Sequence, residues 1–370
     1  MIPPDHELIE QEDVDRLIKE QYNTMLEPGE EIIHIFPQQY IVDREPLSRE
    51  IPPVGVAGKN LMANFHMVTA NVQNLQYIKY AVERAGLKIK GVVLEPIASA
   101  KAVLDDRDRD AGVAMVDIGG GTTDIAIFHD GIIRHTSVLP LAGNAITNDI
   151  RDGCNILKKQ AESLKIKFGS CLVQAVSEND VISIPGIRSQ ASREIYVKTL
   201  AGIINARTKM IMEQVDYEIK LSGFSNNLIA GVVLTGGGAQ LKNIKDLCEL
   251  ITTTDSRIGV PNEHLDPESV SYADLAHPMY ATGIGLVLYG LEQSERNNND
   301  DETDKKAKSV TSNGHIDMFS DMPDTPEPQP EPQPVETKGK AKKEKEKGKG
   351  KFEDVLGRFF TSVFNEGIDD

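Results

Sequence analysis

Val113-Ala114-Met115-Val116-Asp117-Ile118-Gly119-Gly120-Gly121-Thr122-Thr123-Asp124 is the segment from which the fold follows. Its apolar run reads as a buried strand, and the strand ends in a carboxylate, three glycines and two hydroxyls. Glycine turns the backbone where a Cβ would clash, and it lets amide N–H groups approach an anion. Asp117 projects from the strand end toward that anion. Its carboxylate would hold Mg2+ there through waters, since it repels phosphate directly. The hydroxyls of Thr122 and Thr123 offer further donors. A tight hairpin without ligand needs only one or two glycines, so Gly119, Gly120 and Gly121 point to phosphate. The pattern returns at Thr235-Gly236-Gly237-Gly238-Ala239, after the apolar run Ile229–Leu234. Alone, this second loop also reads as a plain strand-to-helix connection. Paired with the first, it suggests a nucleotide held between two related subdomains.

Upstream, Glu95-Pro96 opens a small-residue helix that runs to Leu104, with Pro96 suited to its first turn. A strand at Val92–Leu94 ending in Glu95 puts a carboxylate near the same cleft, a fair place to orient an attacking water. A solvated acid favoured by the helix dipole is the alternative. Asp105–Asp110 reads as a charged turn. Downstream comes a hairpin, with Ile125–Phe128 and Ile132–Val138 around His129-Asp130-Gly131. Helices are expected over 144–152, 156–168, 193–222, 241–252 and 278–289, with extended pieces at 181–184 and 257–261. Before residue 90, a helix over 5–27, strands over 31–42 and 64–70 and an amphipathic helix over 75–85 form a small α+β unit. Its His34 and His66 lie in strand patterns with no second ligand pattern, and read as ordinary strand histidines.

A chain of 370 residues supports two or more domains. With a net charge of −17 it gains little from counterion release, which argues against nucleic acid as a partner. Cys154, Cys171 and Cys248 are too scattered for a metal knuckle or redox motif and read as buried small side chains. No signal peptide is expected, because no basic segment leads into an apolar stretch. No run approaches the ~20 apolar residues of a membrane span.

From about Gln293 the composition turns polar, with a Pro/Glu/Gln repeat over 323–334 and a lysine-dense run over 338–351. Such sequence cannot bury enough apolar area to offset its ordering entropy. Phe352, Val355, Leu356, Phe359, Phe360, Val363 and Phe364 then recur on one helical face. Seating that face in a membrane interface gains on the order of several kcal/mol. Each neighbouring lysine adds up to about 1 kcal/mol near anionic lipid. Docking on the globular body is the alternative, which the long tether opposes.

Glu95-Pro96, the loop at 117–124, the loop at 234–239 and Ala281-Thr282-Gly283-Ile284-Gly285 occur in the order of connect-1, phosphate-2, adenosine and connect-2 of the actin/Hsp70/sugar-kinase ATPase superfamily. Within it the chain resembles the bacterial FtsA cell-division family. His34-Ile35-Phe36-Pro37-Gln38-Gln39-Tyr40-Ile41-Val42-Asp43, Pro53–Gly58, Ala161-Glu162-Ser163-Leu164-Lys165 and the terminal amphipathic helix carry that resemblance. It implies an α/β actin-like ATPase fold with ribonuclease H-like subdomains. The divisions would be an FtsA-type 1C (SHS2-like) domain at 1–90, the rest of subdomain 1A at 91–111, subdomain 2A at 112–155 and 226–293, subdomain 2B at 156–225, a disordered linker at 294–351 and a membrane helix at 352–366.

The resemblance also implies roles. Asp117 is the Mg2+-associated acid, Gly119–Thr123 the phosphate clamp, Glu162 and Lys165 ribose contacts, Gly236–Ala239 the adenine side, and Glu95 a neighbour of the attacking water. ATP and Mg2+ are the implied cofactors. Implied partners are FtsZ, further copies in a head-to-tail polymer, anionic inner-membrane lipids and later divisome proteins, met at the cytoplasmic face of the septal membrane. A rod-shape, pilus-assembly or chaperone-type ATPase of the superfamily is the alternative. The superfamily's phosphate-1 hairpin, an Asp-x-Gly-Thr-like strand pair, does not precede residue 95. The chain is therefore expected either to begin inside a longer protein or to be a degenerate form, to bind ATP weakly or not at all, and to be at most a weak ATPase.

Overall fold

A computed structural model of the chain describes residues 8–48, 51–185 and 192–307, with side chains as far as 294. The amphipathic helix at 352–366 and the greater part of the polar linker lie outside the described residues. The first elements are α1 (Gln11–Gln21), β1 (Glu30–Val42), β2 (Glu45–Pro46), β3 (Leu61–Asn71) and α2 (Val72–Arg84). The strands form an antiparallel sheet in the order β2-β1-β3. Pro37 has no N–H to give the ladder, yet β1 passes through it, because the register slips between Pro37 and Gln39. Ile9, Val14, Val42 and Leu61 form a small core of their own. Asn71 caps α2 by accepting from the amides of Gln73 and Asn74 at 3.0 and 3.3 Å.

Next come α3 (Glu95–Val103), α4 (Asp106–Ala111), β4 (Val113–Ile118), β5 (Thr123–His129), β6 (Ile132–Leu139), α5 (Gly143–Cys154) and α6 (Lys158–Phe168). The chain continues with β7 (Val181–Ile184), β8 (Arg193–Tyr196), α7 (Val197–Leu221), β9 (Val232–Thr235), α8 (Ile244–Thr252), β10 (Ser256–Ile258), α9 (Tyr272–Leu275) and α10 (Ala281–Ala307). The central sheet has the order β10-β9-β4-β5-β6. β9 runs parallel to β4 and β10, while β4, β5 and β6 form an antiparallel meander.

Every residue of β4 is buried because both faces of the sheet are covered. The two-residue period of a strand divides its side chains. Ala114, Val116 and Ile118 join Ile125 and Ile127 against Ile146, Ile150, Leu200, Ile204, Ile211 and Leu247 from α5, α7 and α8. Val113 and Met115 join Ala126, Phe128 and Val233 against Ala100, Ala102, Val103 and Ala281 from α3 and α10. The same parity sends Asp117 to the α3/α10 side.

β6 is an outermost strand, and side chains from the small sheet meet it. Gln38 donates through Nε2 to the Ile133 carbonyl at 2.8 Å, and Arg134 donates back to the Gln38 carbonyl at 3.2 Å. His66 Nε2 lies 3.0 Å from Thr136 Oγ1. The three cysteines are buried and free, and burial pushes the Cys171 and Cys248 thiols up to about 12 and about 11, which leaves them unreactive. No described helix is long and apolar enough to cross a membrane.

Several local expectations need correction. Asp105–Asp110 is no simple turn: Asp105 caps α4, accepting from the Asp108 amide at 2.7 Å while Asp108 accepts from Asp105 at 3.3 Å. Val92–Leu94 forms no ladder, and Glu95 is the first residue of a helix rather than the last of a strand. Arg193–Tyr196 pairs with β7, burying Ile195, before α7 starts. Gly153 lies inside α5, which ends at Asn155 in a left-handed conformation with φ 51°. The first helix is shorter than 5–27. The last runs on to Ala307, into the stretch assigned to the linker, where no glycine or proline interrupts residues 291–313.

Candidate functional site

β4 and β9 lie side by side in parallel, with Asp117 opposite Thr235. Both glycine loops therefore leave the same end of the sheet and meet there. Gly236 has φ +83°, and a Cβ on it would fall 2.2 Å from Asp117 Oδ1 and 2.6 Å from the Ile118 carbonyl oxygen. A Cβ on Gly238 would fall 2.4 Å from Ile118 Cγ2. The second loop is thus glycine because it is pressed against the first. Gly237–Gln240 forms a single tight helical turn, with Gly238 and Ala239 buried and Gly237 exposed.

The Asp117 carboxylate is almost wholly buried. Its Oδ2 accepts from Ser99 Oγ at 2.6 Å and from Thr282 Oγ1 at 3.2 Å. Burial raises its pKa, and these hydrogen bonds act against that rise. Directly across the hairpin stands Asp124, which is also buried. Burial raises the Asp124 pKa as well; Asp117 adds to the rise and a Thr122 hydrogen bond opposes it. Two carboxylates facing each other across a ladder repel. Glu95, a largely exposed residue at the start of α3, is pushed up to about 7 by partial desolvation and then by Asp124 and Asp117. A cation among the three would relieve the repulsion. Among the described residues no three His, Cys, Asp or Glu side chains are placed to ligate a metal directly.

The loop between β4 and β5 closes on itself through the Gly119 amide and the Thr122 carbonyl at 3.0 Å. The Gly119 and Gly120 carbonyls accept from the amides of Gly143 and Asn144, at 3.1 and 2.7 Å, which seats the loop on the start of α5. Space beside Gly121 is open, with nothing within 4 Å of a Cβ there. Lys165 Nζ donates to the Gly143 carbonyl at 3.1 Å and to Thr147 Oγ1 at 2.9 Å, and it pairs with Glu162 at 2.9 Å. Thr147 in turn donates to Glu162. Partial burial would raise the Glu162 carboxyl, but Lys165 and Thr147 outweigh it and hold the group below its ordinary value.

The structure thus gathers Glu95, Asp117, Gly119, Gly120, Gly121 and Thr122 with Gly236–Ala239, and it links Glu162 and Lys165 to the flank of the first loop. Thr123 does not join them. It falls on the opposite face of β5, is wholly buried, and donates its hydroxyl to the Leu141 carbonyl at 2.7 Å. Sequence reasoning assigned no role to Asp124, Ser99 or Thr282. For Asp124 a signal existed: two-residue parity across the hairpin puts it on the face of Asp117.

The raised Glu95 carboxyl has a measurable consequence. Its native pKa lies above its unfolded one, so its contribution to stability is present below about 4.5 and is lost as pH rises through about 7. Glu95→Gln removes that slope. Denaturant midpoints of wild type and Glu95→Gln are expected to converge near pH 5 and separate by pH 8, with the variant more stable at the higher pH. Parallel curves would show that Glu95 is not so perturbed.

Three family models match. "Cell division protein FtsA" covers residues 114–285, "SHS2 domain inserted in FTSA" covers 1–69, and "Hsp70 protein" covers 71–137. The cell division protein FtsA of Pseudomonas aeruginosa is 35% identical over 281 residues, which are 76% of this chain and 66% of that protein. That of Escherichia coli K12 is 33% identical over 300 residues, 79% of this chain and 70% of that protein. The chain therefore spans about two thirds of the length of these relatives. Among solved structures, a chain of the PilM-PilN type IV pilus biogenesis complex superposes with a TM-score of 0.51 at 18% identity, over 75% of this chain and 71% of its own. That likeness is one of fold.

Proposed function

Because this chain belongs to the FtsA family of cell-division proteins and has an actin-like α/β fold, we propose that it binds ATP with Mg2+ weakly at the Asp117 site, which lacks a facing phosphate-1 hairpin, and works as a polymerising membrane adaptor for FtsZ at the septum. One observation carries the nucleotide reading: both glycine loops converge on a single buried, hydrogen-bonded aspartate. In this reading the amides of Gly120 and Gly121 hold phosphate, the Gly119 amide being spent on the Thr122 carbonyl and the Thr122 hydroxyl on Asp124. Asp117 and Asp124 orient the waters of the cation, which supplies charge neutralisation when bound. Glu95, poised near neutral pH, is suited to take a proton from water. Glu162 and Lys165 approach the ribose, and Gly236–Ala239 line the base.

The adaptor role rests on family membership and on the sequence of the tail. The stripe of Phe352, Val355, Leu356, Phe359, Phe360, Val363 and Phe364 seats in anionic inner-membrane lipid, and the lysine run before it adds attraction. The globular body then presents FtsZ, further copies of itself and later divisome proteins to that surface. Sedimentation with anionic vesicles tests this. The full chain is expected to carry FtsZ into the pellet. A chain ending at residue 351 is expected to bind vesicles about a hundredfold more weakly and to leave FtsZ in the supernatant. Equal pelleting by the shortened chain would refute the anchor, and FtsZ left behind by the full chain would refute the adaptor.

A further inference from the structure

Two histidines of the small sheet stand where it meets the rest of the fold. His34 and Phe36 share one face of β1, and Phe36 pairs across the ladder with His66 of β3. The three rings stack, with centroids 5.5 and 6.4 Å apart. Phe36 packs against the core beneath α3 and α10. His66 meets Thr136 of β6 at 3.0 Å, and His34 Nε2 accepts from the Leu94 amide, just before α3, at 3.1 Å. The join therefore depends on imidazoles as well as on Phe36 and Gln38.

The Leu94 contact fixes the state of its histidine. A backbone amide can only donate, so His34 Nε2 must offer a lone pair, and the ring hydrogen sits on Nδ1. A proton on Nε2 would set N–H against N–H and break the contact. His66 is less exacting, because Thr136 can donate or accept, and its protonation costs through charge. The charged groups on the surrounding elements are Arg134 and His135 of β6, Asp130 beside Arg134, Glu218 of α7, Glu95 of α3 and the Lys101–Glu292 pair of α3 and α10. Of these carboxylates, Glu218 is paired with His135, Asp130 with Arg134 and Glu292 with Lys101. Among the described residues none pairs with His34 or His66. Burial lowers the pKa of both rings, and His135 lowers that of His66 further.

We propose that His34 and His66 form an acid-labile clasp, so that proton uptake by the two rings frees the small sheet from β6 and from the head of α3. The clasp stands apart from the nucleotide and adaptor readings. Its sign follows from linkage. The closed form binds fewer protons than the open one, so closure is favoured as pH rises and is lost as pH falls below the ordinary histidine value of 6.5. At about pH 5.5 a freed imidazole is protonated about ten to one, so each histidine raises the opening equilibrium by up to about tenfold.

The test is hydrogen exchange at the Leu94 amide in the full chain, corrected for the intrinsic rate and compared between about pH 7.5 and about pH 5.5. Every protein carries Glu95→Gln, so that titration of the carboxyl next to Leu94 does not enter. Leu94 protection is expected to fall by about 10- to 100-fold in this parent, while the amides of Met115 and Ile127 in the central sheet keep theirs. His34→Gln keeps an acceptor for Leu94 but takes no proton. It and His66→Gln should each remove a factor of up to about ten, and the double variant should show no acid-dependent loss. Constant protection in the parent, an equal fall in the double variant, or an equal fall at Met115 and Ile127 overturns the clasp. Should the glutamine variants not fold, nitrogen-15 spectra of the unsubstituted chain decide. His34 is expected as the Nδ1–H tautomer at neutral pH, with the Leu94 amide resonance moving at the His34 midpoint. An Nε2–H tautomer, or a Leu94 resonance indifferent to His34, overturns the proposal.

Discussion

Gly236→Val is expected to leave little native protein and no Mg·ATP binding. Gly236 sits at φ +83°, a region that costs a non-glycine residue about 1–3 kcal/mol, and a β-branched one is the worst choice there. Its Cβ would also arrive 2.2 Å from Asp117 Oδ1 and 2.6 Å from the Ile118 carbonyl oxygen. Neither atom can yield cheaply: the first belongs to a carboxylate held by Ser99 and Thr282, the second to a central strand. Overpacking of this kind adds about 1–3 kcal/mol. A total of about 2–6 kcal/mol is a large share of a typical domain's stability. Gly237→Val is the control. Its φ is not positive, and the nearest atom to its Cβ is Met279 Cβ at 4.0 Å. It is expected to fold as wild type does. Equal denaturation midpoints for the two valine variants would disprove the argument.

Gly285→Ala runs against a simple propensity rule. Alanine is favoured over glycine inside a helix by about 1 kcal/mol. At Gly285, however, the new methyl would lie 1.8 Å from the Ala98 carbonyl oxygen and 2.4 Å from the carbon it is bonded to. These are backbone atoms of α3, so the two helices must separate. Separation pulls Thr282 from Asp117 and opens the packing of Ala100, Ala102 and Ala281 on the sheet. A net loss of about 1–2 kcal/mol is expected, because overpacking outweighs the propensity gain. Gly283→Ala and Gly290→Ala lie in the same helix with nothing within 4 Å of their Cβ, and both should gain about 0.5–1 kcal/mol. Thermal unfolding of the three variants separates the two effects. If all three shift in the same direction, the close approach of α3 and α10 is not what Gly285 serves.

What the sequence revealed of the fold was what repeats along a single element. The apolar run into Asp117 and the second run into Thr235 announced buried strands, and the glycines announced loops at their ends. Most helices and both hairpin strands of the meander were legible from period and turn residues. Less legible was whatever one element owes to another. Arg193–Tyr196 is long enough to start a helix, and only the presence of Val181–Ile184 alongside makes it a strand. Thr123 stands next to Thr122 in the chain, but pleating sends it to the opposite face. Ser99 and Thr282 are 183 residues apart, and nothing local marks either as a partner of Asp117. Asp124 stood in plain view within the first motif; its meaning required pairing β5 with β4.

Membership in the FtsA family accounts for the order of the loops and for the small sheet. It leaves the carboxylate trio and its raised Glu95 to be explained by this chain's own burial and charge. In physical terms the site is an electrostatic deficit with a hydroxyl grip on one side and open space beside Gly121 on the other.

The contact of Gln38 with the Ile133 carbonyl bears on how the margin of the central sheet is protected. An outermost strand normally offers free carbonyls and amides to any stray extended chain, and such edges seed aggregates. Here a side-chain amide from the small sheet already occupies a carbonyl of β6, and Arg134 crosses back to the Gln38 carbonyl. The opposite margin, β10, is only three residues long, too short to template a foreign strand. Plugging one sheet margin and truncating the other thus keeps stray extended chains off the central sheet.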